Sequence, residues 1–242
     1  MSTAIQPQDN LILSALRPSD WERINSQLKP IELLHSAVIY RPGDVIEHLY
    51  FPTGSMISLI NQLSDGSSVE TGVTGYEGLV GIFALLGVDE SPQEAIVQFP
   101  GSALKVKTDD LKSEFQRAGT LHDLLLRYLR SLFLQTSQIA ACNRLHTIPE
   151  RLARWLLMSR DRCRCDELPF TQEFLALMLG TRRAGVTESA LILQADGYIK
   201  YSRGHITISD AEGLENYSCE CYAVLKEDFK NLSFESSRRK KG

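Results

Sequence analysis

Residues 171–191 read Thr-Gln-Glu-Phe-Leu-Ala-Leu-Met-Leu-Gly-Thr-Arg-Arg-Ala-Gly-Val-Thr-Glu-Ser-Ala-Leu, and they constrain this chain more than any other segment. Phe174, Leu175, Met178 and Leu179 recur at helical spacing, and Thr171 is a good N-cap in front of them. Gly180 then ends the helix, because glycine takes a positive φ there without strain. A second helix follows, with Thr181 as its expected cap and Val186, Ala190, Leu191 and Leu193 as its expected buried residues. Two short helices joined by one tight turn are the plan of a helix-turn-helix, whose second helix enters the major groove of DNA with its N-terminal residues leading. Arg182 and Arg183 hold that leading position. A guanidinium there can bridge guanine O6 and N7 or clamp a phosphate.

The next segment, 195–208, reads as two strands around a Ser202-Arg203-Gly204 turn, with β-branched and aromatic residues in Tyr198–Tyr201 and His205–Ile208. A hairpin directly after such a helix is the wing of a winged helix, and it would carry Arg203 and His205 toward backbone phosphates. The competing reading is a helical hairpin and a β-hairpin used only for packing. That reading leaves two adjacent arginines at a helix N-terminus, where the dipole disfavours cations, and a phosphate partner removes the conflict. The expected DNA-contacting set is Thr171, Gln172, Thr181, Arg182, Arg183, Thr187, Glu188, Arg203 and His205.

Global charge does not advertise such a partner. The 242 residues carry a formal net charge of −4, so phosphate neutralisation must come from local arginines, from Lys200 and from the basic run 238–241. That run at the end of a chain is more often a solvated tail than a DNA arm. The length suggests two modest domains. No apolar run is long enough to span a membrane and no signal peptide is visible, so a cytoplasmic location and no membrane partner are expected.

Five cysteines, Cys142, Cys163, Cys165, Cys219 and Cys221, argue by their odd number against a disulfide framework. The two Cys-x-Cys pairs could make a four-thiolate metal site, but the common spacing has two intervening residues. Cys219 and Cys221 also read as helical, where residues two apart point to different sides. The expectation is therefore reduced, partly buried thiols, with no metal and no cofactor.

Along the chain, residues 8–28 read as two short helices, with Ser19 or Asp20 capping the second. From about 30 to 108 the texture is β: strand-like runs at 37–40, 46–51, 55–60, 68–73, 94–99 and 103–107 alternate with glycine-bearing turns. Such spacing indicates an antiparallel barrel, roll or jelly roll, interrupted at 78–88 by a short helical insert. Residues 109–144 read as one long helix. Leu121, Leu125, Tyr128, Leu132 and Ile139 form one apolar stripe, and Leu126, Leu129, Phe133 and Ala140 an adjoining one. Two greasy faces need two packing partners: the β-domain and either the same helix of a second subunit or further burial within the chain. The five-residue stripe is assigned to the dimer helix. Thr147-Ile-Pro-Glu150 is a capping-box start for a helix that buries Leu152, Trp155, Leu156 and Met158. One or two helices occupy 210–232.

The order of roll, long helix, short helix, helix-turn-helix and wing resembles the Crp/Fnr family of bacterial transcription regulators. The resemblance rests on Arg41-Pro-Gly-Asp44, Tyr50-Phe-Pro-Thr-Gly54, the run Ile148 to Trp155, the 171–193 unit and Tyr217-Ser-Cys-Glu-Cys-Tyr222. It implies an α+β chain: an N-terminal cyclic-nucleotide-binding-like β-roll (a double-stranded antiparallel jelly roll) at 1–118, a long dimerisation helix and hinge at 119–146, a C-terminal winged helix-turn-helix at 147–232 and a basic tail at 233–242. It also implies a homodimer on a palindromic double-stranded DNA operator, with RNA polymerase as a further partner. Arg183 falls where family members place a base-reading arginine, Thr187 and Glu188 lie one turn later, and Ala184 replaces a base-reading glutamate.

The sensory residues depart from the family. The carboxylate that holds the ribose of a cyclic nucleotide is absent from Leu79–Leu86, Gln93 stands at the place of the phosphate-pairing arginine, and Glu94 adds a negative charge beside it. Val80, Gly81, Gln93 and Glu94 are thus the effector-pocket candidates, for an effector of unidentified chemistry, and tight binding of cyclic AMP or cyclic GMP is not expected. Residues 1–30 hold no cysteine for an iron-sulfur sensor, and lone histidines such as His35, His48 and His122 are more often surface or core side chains than haem ligands. A ligand-binding or protein-interaction module with a vestigial DNA-binding domain is the alternative function. An enzyme is not expected, because no nucleophile-base pair, metal triad or phosphate-cradling loop is present.

Overall fold

The protein is described from a computed structural model covering residues 9–202 and 204–232. Arg203 and the tail 233–242 lie outside the described residues. Nine α-helices and ten β-strands are described: α1 Leu11–Ser14, α2 Pro18–Ile24, β1 Lys29–Leu33, β2 Val38–Tyr40, β3 His48–Pro52, β4 Met56–Gln62, β5 Ser68–Thr74, β6 Glu94–Phe99, β7 Gly101–Lys107, α3 Thr108–Gln116, α4 Thr120–Leu145, α5 Ile148–Cys163, β8 Glu167–Leu168, α6 Gln172–Met178, α7 Arg183–Ala195, β9 Ile199–Ser202, β10 His205–Ile208, α8 Ala211–Tyr217 and α9 Glu220–Leu232. No helix among the described residues is long and apolar enough to cross a membrane.

The chain divides into two compact units. Among the described residues, one comprises 9–59, 73–133 and 228–232, and the other 60–72, 134–202 and 204–227. The first holds the roll. Its sheets run in the orders β1-β7-β3 and β2-β6-β4-β5, the β4–β5 tip belonging to the second unit. Leu49, Phe51, Ile57, Val97 and Val106 alternate inward along the strands and meet Leu111 of α3 and Leu121 and Leu125 of α4 in one core. Strand β1 is the one the sequence hides. Its Pro30 demotes it as a strand, yet β1 is an edge strand, where a missing N–H is tolerated. The insert is a 3-10 turn, Ile82–Leu86.

Three expectations about helix ends are corrected. Helix α2 starts at Pro18 with Arg17 as N-cap, so neither Ser19 nor Asp20 caps it; Asp20 is spent on Arg23 and on the Thr120 N–H (3.2 Å). Residues 109–144 are not one helix, because Ala118 turns left-handed (φ 53°) and Gly119 separates α3 from α4. The five residues assigned to the dimer helix, Leu121, Leu125, Tyr128, Leu132 and Ile139, are all buried in their own chain, with the Tyr128 hydroxyl 2.8 Å from that of Thr74. Of the adjoining stripe, Leu126 (43%), Phe133 (74%) and Ala140 are exposed, while Leu129 packs partly against the roll's core. A stripe facing the larger apolar surface is covered first, and for Leu121, Leu125, Tyr128 and Leu132 the roll supplies that surface.

Candidate nucleic-acid interface

In the second unit, helix α5 begins as its sequence dictates. The Thr147 N–H donates to Glu150 Oε2 (2.8 Å), and the threonine hydroxyl reaches the same oxygen (2.7 Å). Leu152, Trp155, Leu156 and Met158 are buried as expected. Trp155 packs edge-on against Phe170, which stacks with Phe174. Its indole N–H donates to Glu70 of the β4–β5 tip (3.0 Å), a contact across 85 residues of sequence. A buried carboxylate that accepts this bond ties the tip to the helical core.

Helix α6 is capped by Thr171, whose hydroxyl accepts from the Phe174 N–H (3.2 Å). Gly180 has φ +56°, and a Cβ there would stand 3.0 Å from Val69, so the turn requires glycine for its conformation and its close approach. The second helix starts one residue later than expected. Its N-cap is Arg182, with no side-chain cap bond, so Thr181 is not the cap. Val186, Ala190 and Leu193 are buried with Ser189, at i, i+4, i+7 and i+3. Leu191 faces away at 60% exposure, so its expected burial is also corrected.

This register places the candidate DNA contacts. Arg182, Arg183 and Glu188 are exposed at the leading end of α7, and Thr187 is half-buried. Arg183 pairs with Glu173 of α6 (2.8 Å), a partner the sequence reading missed although Glu173 lies in its own motif. Thr187 donates to Gln172 (2.7 Å), joining the two helix starts. The wing forms a three-stranded sheet in the order β8-β10-β9, with His205 paired to Ser202 and exposed. An open cleft of about 1030 Å³ lies between the β4–β5 tip and the start of α7, bordered by Leu63, Val69, Arg151, Arg182, Ala184 and Glu188.

The effector candidates behave differently. Val80, Gly81 and Gln93 do share a cavity with Tyr40, Leu59 and Leu132, but its volume is about 10 Å³. Glu94 opens β6 and does not line it. Burial pushes the Tyr40 hydroxyl far above its ordinary range, which keeps it a neutral hydrogen-bond donor to the His48 carbonyl. The cysteine pairs also part company. Cys163 and Cys165 stay apart from Cys219 and Cys221, whose neighbours are Cys142 and His146. Cys219 precedes α9 instead of lying in it, so the helical objection to the Cys219–Cys221 pair does not hold.

Residues 150–217 match the family model of the Crp-like helix-turn-helix domain. The chain is 21% identical over 210 residues to a CRP-like cAMP-activated global transcriptional regulator of Mycobacterium tuberculosis, covering 84% of this chain and 94% of the relative. It is 23% identical over 207 residues to the global nitrogen regulator of Synechocystis sp., covering 80% and 92%. Among solved structures, a Crp/Fnr-family regulator from Eubacterium rectale superposes with TM-score 0.67 at 16% identity, covering 85% and 96%. FixK2 from Bradyrhizobium japonicum gives 0.67 at 16%, covering 79% and 98%. The two-helix motif with its wing is a Crp-like helix-turn-helix domain at residues 150–217, and the chain as a whole is similar to DNA-binding transcription regulators of the Crp/Fnr type.

Proposed function

We propose that the protein acts as a homodimer on a palindromic operator, reading it with Arg182, Arg183, Thr187 and Glu188, and that its roll does not bind cyclic AMP. The exposed arginine pair at the head of α7 carries the first half of this reading: two guanidinium groups reach solvent where the helix dipole opposes them, a conflict that the exposed Glu173 partner of Arg183 offsets in part. Duplex phosphates and guanine edges would relieve that conflict, with Thr171, Gln172 and His205 near the backbone.

The dimer would form along α4 through Leu126, Leu129, Phe133 and Ala140, spaced three, four and seven residues apart as a coiled seam requires. Two such subunits present recognition helices about 34 Å apart. The filled cavity at Val80, Gly81 and Gln93 supports the second half, because a space of about 10 Å³ holds about one water and no nucleotide. The cAMP activation of the mycobacterial relative is therefore not carried over.

Selection of bound sequences from random duplex DNA tests this directly. Purified protein without added ligand should enrich a two-fold symmetric site with half-sites about one helical turn apart. Enrichment of a single asymmetric half-site would overturn the dimer. No enrichment at about 50 mM salt would overturn unliganded binding.

A further inference from the structure

The second unit contains a cluster that its DNA-binding surface does not use. Cys142 and His146 lie one turn apart at the end of α4, on one face of the helix, with the His146 N–H donating to the Cys142 carbonyl (3.1 Å). Cys219 sits immediately before α9 and Cys221 in its first turn, so both thiols turn toward that same face. The three sulfurs and the imidazole nitrogen all lie within 4.8 Å of one another. Cys142 Sγ is 3.5 Å from Cys219 Sγ, and Cys221 Sγ is 3.5 Å from His146 Nδ1. Two ligand atoms held ~2.0–2.3 Å from one tetrahedral centre are themselves about 3.3–3.8 Å apart; the Cys142–Cys219 and Cys221–His146 separations fall in that range, and the remaining pairs lie within 4.8 Å.

We propose that Cys142, His146, Cys219 and Cys221 form a closed Cys3His site for one zinc ion. The surroundings are those such a site needs. His146 presents Nδ1 to the sulfurs, and its Nε2 lies 3.2 Å from the Glu220 carboxylate, an outer partner that fixes the ring and its tautomer. Gln138 donates its amide N–H to Cys221 Sγ (3.1 Å). Three thiolates around a divalent cation leave one net negative charge, and the cations for it are buried beside the cluster. Arg154 is 2% exposed, its Nε has no hydrogen-bond partner among the described residues, and it interacts electrostatically with Cys142. Arg151 is buried as well and interacts electrostatically with Cys142 and Cys219.

The composition and spacing also select the ion. Thiolate and imidazole ligands in a tetrahedron suit zinc, whereas magnesium and calcium take oxygen. An iron-sulfur cluster divides its four protein ligands over two or more iron atoms, which sets ligands of different irons farther apart than the 4.8 Å that bounds this group. Four protein ligands leave no open position, so the ion would be structural, fastening the end of α4 to the start of α9.

Metal analysis of the full-length chain, reconstituted with zinc under reducing conditions, tests the proposal. About one zinc per chain is expected, and cobalt substitution should give the visible bands of a tetrahedral thiolate site. Cys219→Ser with Cys221→Ser should abolish both signals, and Cys163→Ser should leave them intact. His146→Cys, which offers four thiolates, should retain the metal and shift the cobalt bands. Because loss of metal in the double variant could follow from misfolding, circular dichroism and His146→Cys provide the control. Zinc below ~0.2 per chain, full metal content in the folded double variant, or a Cys142–Cys219 disulfide in metal-free protein under those conditions would each overturn the site. Every readout is metal content or spectrum, so failure leaves the DNA-binding reading untouched.

Discussion

At the head of α7, Arg182 and Arg183 are exposed, with Arg183 paired only to an exposed carboxylate, Glu173; in the roll, Val80 is buried and Gly81 is enclosed by Leu49, Ile46 and Tyr40. The first region keeps charge available for a partner. The second has used its side chains to fill itself, down to about 10 Å³. Both regions sit where a Crp/Fnr-type protein places a function, yet only one has unspent chemistry. Filling a cavity in this way stabilises a fold, since emptying one costs about 20–30 cal/mol per Å³.

The largest effect that could break this contrast is at Arg183. Arg183→Glu should weaken operator binding at least ~100-fold, from lost base contacts of about 1–3 kcal/mol in each half-site plus phosphate repulsion. Melting temperature and dimerisation should not change. Fluorescence anisotropy at fixed salt reads the first and ultracentrifugation the second. Unchanged binding would mean that the arginines are as idle as the roll's pocket.

Next in size is the α4 seam. Phe133→Glu should raise the dimer dissociation constant about 10–100-fold, since it places like charges opposite each other in a coiled seam. Its 74% exposure in the single chain predicts a subunit stability within about 0.5 kcal/mol of the parent.

A smaller effect tests the α5 cap. Thr147→Ala should cost about 1 kcal/mol in chemical denaturation. The Thr147 hydroxyl and N–H hold the Glu150 carboxyl below its ordinary range. Its stabilisation is thus complete above the usual glutamate range and is lost as pH falls through the lowered folded value. Thr147→Ala should flatten that acid limb of the stability curve.

The smallest expected effect is none. Cyclic AMP at about 1 mM should shift stability by less than ~0.5 kcal/mol, whereas a ligand at 100 times its dissociation constant adds about 2.7 kcal/mol. A large shift in differential scanning fluorimetry would show that the roll opens and would remove the contrast between the two regions.

Much of this was legible because it is local. The Thr171 cap, the positive φ at Gly180, the Thr147–Glu150 box and six of the seven strands of the roll depend on residues a few positions apart. Local hydrogen bonds and side-chain period carry that information in any context. Boundary residues were less legible: Thr181 lost the cap to Arg182, and Leu191 turned outward because it stands one residue, about 100° of helix, past buried Ala190.

By itself, the sequence determined the order of elements, the motif at 171–193 and the chemical character of its leading face. The tertiary structure decided which of two apolar stripes on α4 the roll would cover, since both satisfy the helical period and only the available surface chooses between them. It decided that the 60–72 tip belongs with the helical unit, through Glu70 and Trp155. It brought Cys142 within 3.5 Å of Cys219, 77 residues away, while leaving Cys163 and Cys165 elsewhere. Spacing within a motif cannot reveal such a group, because its ligands come from separate helices that meet only when the core beneath them has packed.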